Sequence, residues 1–257
     1  MITAGCDIGS LTAKAVILDS DTIAASAVIR SKPQPEDSAV DVMRKVLEKA
    51  GLERHRVERC FGTGYGRNRI PFADDVESEI LCHGTGAIWL LPSVRMVIDV
   101  GGQDAKAMRM DDKGNILRYV YNDKCASGTG RFLEIMANAL DIDFEEMGTP
   151  AYRSSNPVGI SNQCVVFAET EIISLVNAGR DIPDIVSGLH RAMAHRIASL
   201  ARGIDPEEDI TMTGGVAKNE GMFSALQEAI GLQVQRVPCD PQIVGALGAA
   251  VLAARTG

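Results

Sequence analysis

The chain has 257 residues, 46% of them apolar, and carries a formal charge of −8 from 26 basic and 34 acidic side chains. A chain of this length buries roughly 70–75% of the surface its unfolded form exposes, so one large domain or two small ones with a full core are expected. The acidic balance without a basic run argues against a nucleic-acid or anionic-membrane surface, and no apolar stretch reaches the ~20 residues that span a bilayer, which makes the cytoplasm the expected location.

In chain order, β-branched apolar runs predict strands at 2–8, 13–19, 22–30 and 57–62, with Asp19-Ser20-Asp21 turning the second into the third. A helix is expected at 36–51, where Val40, Met43, Val46 and Leu47 share a face and Gly51 stops it, and another at 77–91 ahead of Pro92. Within the latter, Glu79 and His83 stand at i, i+4 and are expected to form a buried hydrogen-bonded pair. A second series of strands follows at 94–100, 105–111 and 116–122, the last two flanking the turn Asp112-Lys113-Gly114-Asn115. Helices are expected at 129–140, 167–178, 184–202, 217–230 and 241–255, with a strand at 209–212 among them.

Three strands followed by helices thus occur twice. The repeat also holds residue by residue: Asp7-Ile8-Gly9-Ser10-Leu11-Thr12-Ala13-Lys14-Ala15 lies over Asp99-Val100-Gly101-Gly102-Gln103-Asp104-Ala105-Lys106-Ala107 at a constant offset of 92, with five of nine positions identical. We read two similar α/β domains facing each other, residues 1–92 with 243–257 in one and 93–242 in the other. In each repeat a strand turns sharply into the next, and glycine there lets backbone N–H groups approach an anion closely, with Ser10 and Thr12 adding hydroxyl donors. Two such hairpins suit a polyphosphate gripped from both sides, with Asp7 and Asp99 facing Mg²⁺ and its waters. Gln103, Asp104 and Glu171 are polar groups able to position an attacking water, and the sequence does not choose among them. Thr213-Gly214-Gly215-Val216-Ala217 follows a strand and opens a helix, offering side-chain-free backbone to a flat adenosine. Gly245-Ala246-Leu247-Gly248-Ala249-Ala250 reads as a helix face for close packing.

These paired Asp-x-Gly hairpins, the Thr-Gly-Gly turn and the small-residue closing helix resemble the actin, Hsp70 and sugar-kinase superfold. That likeness implies two actin-like (ribonuclease H-like) domains with the nucleotide between them. It does not fix function, since kinases, chaperones and filaments share the fold.

Six cysteines stand at 6, 60, 82, 125, 164 and 239. Cytosolic reductants disfavour disulfides, and Cys6, Cys60, Cys82 and Cys239 sit in apolar strand, helix or proline-flanked contexts that read as buried thiols. Cys125 and Cys164 each precede a helix, whose positive end favours the thiolate that binds metal. Two thiolates per chain are half of what a cubane takes, so a twofold axis would complete a [4Fe–4S] cluster between subunits.

Asn122 to Arg131 and Cys164 to Glu171, with Thr63-Gly64-Tyr65-Gly66-Arg67-Asn68, Ser78-Glu79-Ile80 and the two hairpins, closely resemble the activator components of 2-hydroxyacyl-CoA dehydratases and the ATPase subunits of ATP-dependent benzoyl-CoA reductases. The resemblance implies a homodimer with one shared [4Fe–4S] cluster on Cys125 and Cys164. It further implies an electron donor in ferredoxin or flavodoxin, ATP and Mg²⁺ as the driving ligands, and an acyl-CoA dehydratase or reductase as the partner that receives the electron. The nucleotide-binding set expected is Gly9, Ser10, Thr12, Gly101, Gly102, Gly128, Thr129, Gly130, Gly214, Gly215 and Asn219, with Asp7, Asp99, Gln103 and Asp104 in catalytic positions. A small-molecule kinase of the same superfold, lacking a cluster, is the competing expectation.

Overall fold

Strand Ile2–Ile8 (β1) is buried on both faces, which is why it reads as a near-continuous apolar run. Ala4, Cys6 and Ile8 join the cluster under helix Pro35–Ala50 (α1), while Thr3 on the opposite face donates its hydroxyl to the Ala250 carbonyl at 3.0 Å. Thr12–Asp19 (β2) and Thr22–Arg30 (β3) extend the sheet antiparallel, through a turn in which Ser20 takes a positive φ of 53°. Arg59–Thr63 (β4) and the two-residue Asp75–Val76 (β5) pair parallel on the other side, giving the order β3-β2-β1-β4-β5. The computed structural model describes every residue except Tyr152, Asn162, Gln163 and Gly257.

Helix Glu79–Leu90 (α2) leads into a second sheet of the same design. Met96–Val100 (β6), Ala105–Met110 (β7) and Ile116–Asn122 (β8) form an antiparallel meander, and Ile210–Thr213 (β9) and Val234–Gln235 (β10) add parallel strands, in the order β10-β9-β6-β7-β8. Helices Gly130–Ala139 (α3), Gly148–Ala151 (α4), Val165–Asn177 (α5), Ile182–Arg202 (α6) and Glu220–Ile230 (α7) surround its core of residues such as Ile98, Leu133, Met136, Ile185 and Leu189. The chain closes with Val244–Arg255 (α8). The two expected α/β domains, each on a five-stranded sheet, are therefore present.

The closing helix does not stay with the sheet that precedes it. α8 lies on the first sheet: a Cβ on Gly5 of β1 would come within 1.8 Å of the Ala246 carbonyl oxygen. α2 lies against the second, where Gly84 faces Met108, Met110 and Ile116. The two helices also touch each other so closely that a Cβ on Gly248 would sit 1.8 Å from the Cys82 carbonyl oxygen. The small-residue face thus serves close packing, as its composition suggests.

His190 on α6 is buried, with both ring nitrogens lacking a hydrogen-bond partner among the described residues, and burial lowers its pKa from 6.5 to about 4. Between those values the unfolded chain takes up the proton more readily than the folded one. Stability is therefore complete above pH 6.5 and declines as pH falls toward about 4. The loss should reach about 3 kcal/mol from this group alone. Urea unfolding at pH 7 and pH 4.5 is expected to show this decline in the native protein and a smaller one in His190→Leu, and equal declines would refute it.

Candidate functional site

A cavity of about 650 Å³ opens between the two sheets, and both repeated hairpins line it. Each hairpin is closed by the same short bond: the Gly9 N–H donates to the Thr12 carbonyl at 3.1 Å and the Gly101 N–H to the Asp104 carbonyl at 3.0 Å. They also meet, since a Cβ on Gly102 would fall 2.6 Å from Leu11 Cγ. Gly9, Ser10 and Thr12 face the cavity from one side, and Gly101, Gly102, Gln103 and Asp104 from the other.

The register places one lysine opposite each hairpin aspartate. Asp7 pairs across the ladder with Lys14 and Asp99 with Lys106, and both ammonium groups turn back to the carboxylates, at 3.1 and 3.3 Å. On the parallel side Asp7 is level with Thr63 and Asp99 with Thr213, each followed by a glycine of positive φ. A side chain on Gly64 would strike Asp7 Oδ1 and one on Gly214 would strike Asp99 Oδ1, at 2.4 and 2.8 Å. The geometry is therefore doubled, but the charge is not. Lys14 has one carboxylate, whereas buried Lys106 also meets Glu79 at 2.6 Å and Asp104 at 2.8 Å. Burial opposes the Lys106 charge, yet Asp99, Glu79 and Asp104 raise its pKa well above the ordinary value. For Asp99 burial likewise acts against ionisation, but the His83 ring, Lys106 and the Thr213 hydroxyl prevail and hold its pKa at about 2. The second hairpin thus carries an excess of negative charge suited to a divalent cation, and the first a lysine suited to phosphate.

Glu79 and His83 do not pair with each other as expected from their spacing. Glu79 turns to Lys106, and His83 Nδ1 lies 3.2 Å from Asp99 Oδ1 and 3.3 Å from Thr213 Oγ1. A buried ammonium and a buried carboxylate each need partners more than a glutamate and a histidine need one another. Both residues line the cavity, as do Lys14 and Lys106. Their signal was the repeat itself, which superposes Lys14 on Lys106.

Gly214, Gly215 and Asn219 also line the cavity, with Phe144 and Gln242. The expected helix at 217 begins later: Gly215–Lys218 form one tight turn, and Asn219 caps α7 by accepting the Met222 N–H at 2.9 Å. The Asn219 Nδ2 is a buried donor with no partner among the described residues, and a ligand acceptor would satisfy it. Gly130 also lines the cavity, but Gly128 and Thr129 stand behind it. Gly128, at φ 82°, backs onto Arg196, and the Thr129 hydroxyl donates to the Ala126 carbonyl at 2.7 Å. Glu171 is outside the cavity as well and accepts from the Ser161 N–H and hydroxyl.

Of the six cysteines only Cys125 and Cys164 are exposed. Burial pushes the thiols of Cys60 and Cys82 to about 12 and that of Cys239 to about 11, and it raises that of Cys6 well above its ordinary value, so these four are poor ligands. Cys164 is the N-cap of α5. Cys125 stands further from its helix than its sequence context suggests, on the turn ahead of Thr129, which is the N-cap of α3. Among the described residues no group of three or more His, Cys, Asp or Glu side chains is placed to hold a metal ion.

Among known proteins, the chain is 44% identical over 259 residues to the activator of lactoyl-CoA dehydratase from Anaerotignum propionicum, covering 98% of this chain and 97% of that one. The structure of the activator of 2-hydroxyisocaproyl-CoA dehydratase from Clostridium difficile with bound ADPNP superposes with a TM-score of 0.96 at 41% identity, over 100% of this chain and 95% of the other. A ROK family glucokinase from Streptomyces griseus reaches a TM-score of 0.61 at 17% identity over the full length of both chains, a likeness of fold alone. The family model for BadF/BadG/BcrA/BcrD ATPases matches residues 4–253, and with the doubled hairpin site this establishes that the chain belongs to the BadF/BadG/BcrA/BcrD ATPase family.

Proposed function

We propose that the protein is an ATP-driven single-electron donor: a homodimer that holds one [4Fe–4S] cluster on Cys125 and Cys164 of both subunits and passes electrons to an acyl-CoA dehydratase or reductase. The observation that carries this reading is the selective exposure of those two thiols together with an uncovered apolar helix face that begins at Cys164. α5, which starts at Cys164, buries Ala168 and Ile172 but leaves Val166, Phe167, Ile173 and Val176 exposed. A second copy of the chain would cover such a face and bring two further cysteines with it. The donor set fits the group, since four thiolates are required and each chain offers two reactive ones. A cluster held there supplies one-electron transfer at low potential.

The nucleotide assignment rests on the cavity. Backbone N–H groups of the two hairpins and Lys14 face where the phosphates of ATP would lie, and Asp7 and Asp99 face Mg²⁺ with its waters. Gln103 and Asp104, which line the cavity from the second hairpin, would orient water, and the Asn219 amide would meet the nucleoside end. Linkage to the cysteines follows from the backbone: the Gly130 and Arg131 N–H groups donate to the Gly101 and Gly102 carbonyls at 2.9 and 2.8 Å. The start of α3, just beyond the Cys125 turn, therefore moves with the second hairpin. Ferredoxin or flavodoxin would reload the protein in the cytoplasm.

Iron and sulfide analysis of the anaerobically purified protein tests this reading. About four irons and four sulfides per two chains are expected. An iron-free dimer with ATPase activity would leave a nucleotide-driven protein without redox function, and an iron-free monomer that phosphorylates a sugar would favour the kinase.

A further inference from the structure

We infer that Tyr121 and Asn122, the last two residues of β8, are positioning residues that transmit the state of the nucleotide cavity to the Cys125 loop. The inference rests on the proposed function for the purpose of that loop, and on geometry for the link itself.

Successive residues of a strand point to opposite faces. Tyr121 is the cross-strand partner of Lys106, and its ring lies 5.5 Å from the Lys106 ammonium. Its hydroxyl donates to Asp104 Oδ2 at 3.3 Å, the same oxygen that Lys106 meets at 2.8 Å. Burial first, and then Asp104 and Glu79, push the phenol to about 12, so it remains a donor at neutral pH. Tyr121 thus reads the charge cluster at the second hairpin. Asn122 serves the other side. Its Nδ2 donates to the Cys125 carbonyl at 3.0 Å and to the Ser127 carbonyl at 3.1 Å, clamping the turn that presents the thiol. It does not line the cavity.

The two contacts complete a ring. The loop 123–129 leaves β8 at residues tied to Asp104, and it returns at Gly130 and Arg131, which are bonded to Gly101 and Gly102. Cys125 is held at both ends by one four-residue hairpin. A cation or phosphate that draws Asp104 or Lys106 toward the cavity removes Tyr121's partners from beneath its ring. The adjoining Asn122 clamp must shift with the strand. The exit bonds are main-chain and independent of side-chain identity, so the entry side is where substitution can cut the link.

The alkylation rate of Cys125 in the full-length chain, stripped of iron by chelation, measures the link. Iodoacetamide labelling is followed by peptide mass spectrometry, with and without Mg²⁺ and a non-hydrolysable ATP analogue, and Cys164 serves as internal reference. In the native sequence the analogue should change the Cys125 rate at least about fivefold relative to Cys164, the lower end of ordinary allosteric coupling. Asn122→Asp, isosteric but without donors, should bring the ratio below about twofold while analogue affinity stays within about twofold. Tyr121→Phe keeps the ring and leaves the loop clamp untouched. It should preserve the nucleotide-free rate yet diminish the response, which a merely structural role would not do. It also keeps the test open should Asn122→Asp fail to fold. Native-like ratios in both variants, or a ratio of one in the native protein, would overturn the inference. The labelling needs no cluster: an iron-free protein with a fivefold response would sink the cluster and uphold the link, and four irons with no response would do the reverse.

Discussion

Replacing either Cys125 or Cys164 by serine is expected to remove all bound iron from the anaerobically purified protein, from about four per dimer to none. In the proposed homodimer the effect would be complete because a twofold axis would double every substitution: one serine per chain would delete two of the four proposed thiolates, and a hydroxyl does not replace a thiolate as a ligand for a cluster of this type. The fold should be unaffected, since both side chains are exposed. The dimer should weaken, because a ligand that needs both subunits stabilises their association. Cys60→Ser should keep its iron at the expense of stability, its side chain being wholly buried in the first core. Iron analysis and sedimentation of the three variants decide the matter, and a normal iron content in Cys125→Ser or Cys164→Ser would end the cluster assignment.

Asp99→Asn is expected to lower ATP turnover by about 10²–10³-fold, the usual effect of removing one preorganised electrostatic group. Asp99 Oδ1 accepts the Thr213 hydroxyl at 2.9 Å, and an asparagine oxygen can still do so. Its amide would then face the Lys106 ammonium, donor against donor, and the negative charge proposed to serve Mg²⁺ would be gone. The fold should survive, because Lys106 keeps Glu79 and Asp104. Asp7→Asn differs here. Lys14 has no other carboxylate among the described residues, so the same substitution should cost several kcal/mol of stability as well as activity. Turnover assays beside thermal unfolding separate the two outcomes, and full activity in Asp99→Asn would remove it from the site.

The architecture was legible because it repeats. Two strand–turn–strand signals with Asp-x-Gly at the turn identified both sheets, and the length of the apolar runs gave most strand and helix limits to within two or three residues. β5 and β10 were not visible, being two residues each and recruited by parallel neighbours without a pattern of their own. The starts of α7 and α8 were read early because a tight turn precedes each helix and shares its composition; the Asn219 cap was the available marker. In the site, turn chemistry identifies the aspartates and glycines, whereas Lys14 and Lys106 enter only as matched positions of the repeat, with no role read from them. A lysine on a strand is usually solvated. Lys106 is buried and Lys14 half-buried because the register sets each opposite an aspartate, and register is a property of the pair of strands. Glu79 and His83 were noticed for the wrong pairing, since helical spacing reports only neighbours on the same helix.

The crossing of α2 and α8 has a consequence for how the molecule unfolds. With two sheets and a cavity between them, two separate melting steps would be the simple expectation. Yet α8 follows the second sheet along the chain and covers β1 of the first, while α2 follows the first sheet and covers β7 and β8 of the second. Neither half can complete its core from its own contiguous stretch of chain. Unfolding should therefore be a single cooperative transition in which calorimetric and van 't Hoff enthalpies agree. A polypeptide of residues 1–92 should remain unfolded alone and acquire structure only when mixed with residues 93–257, because the helix that covers its first strand lies in the other fragment.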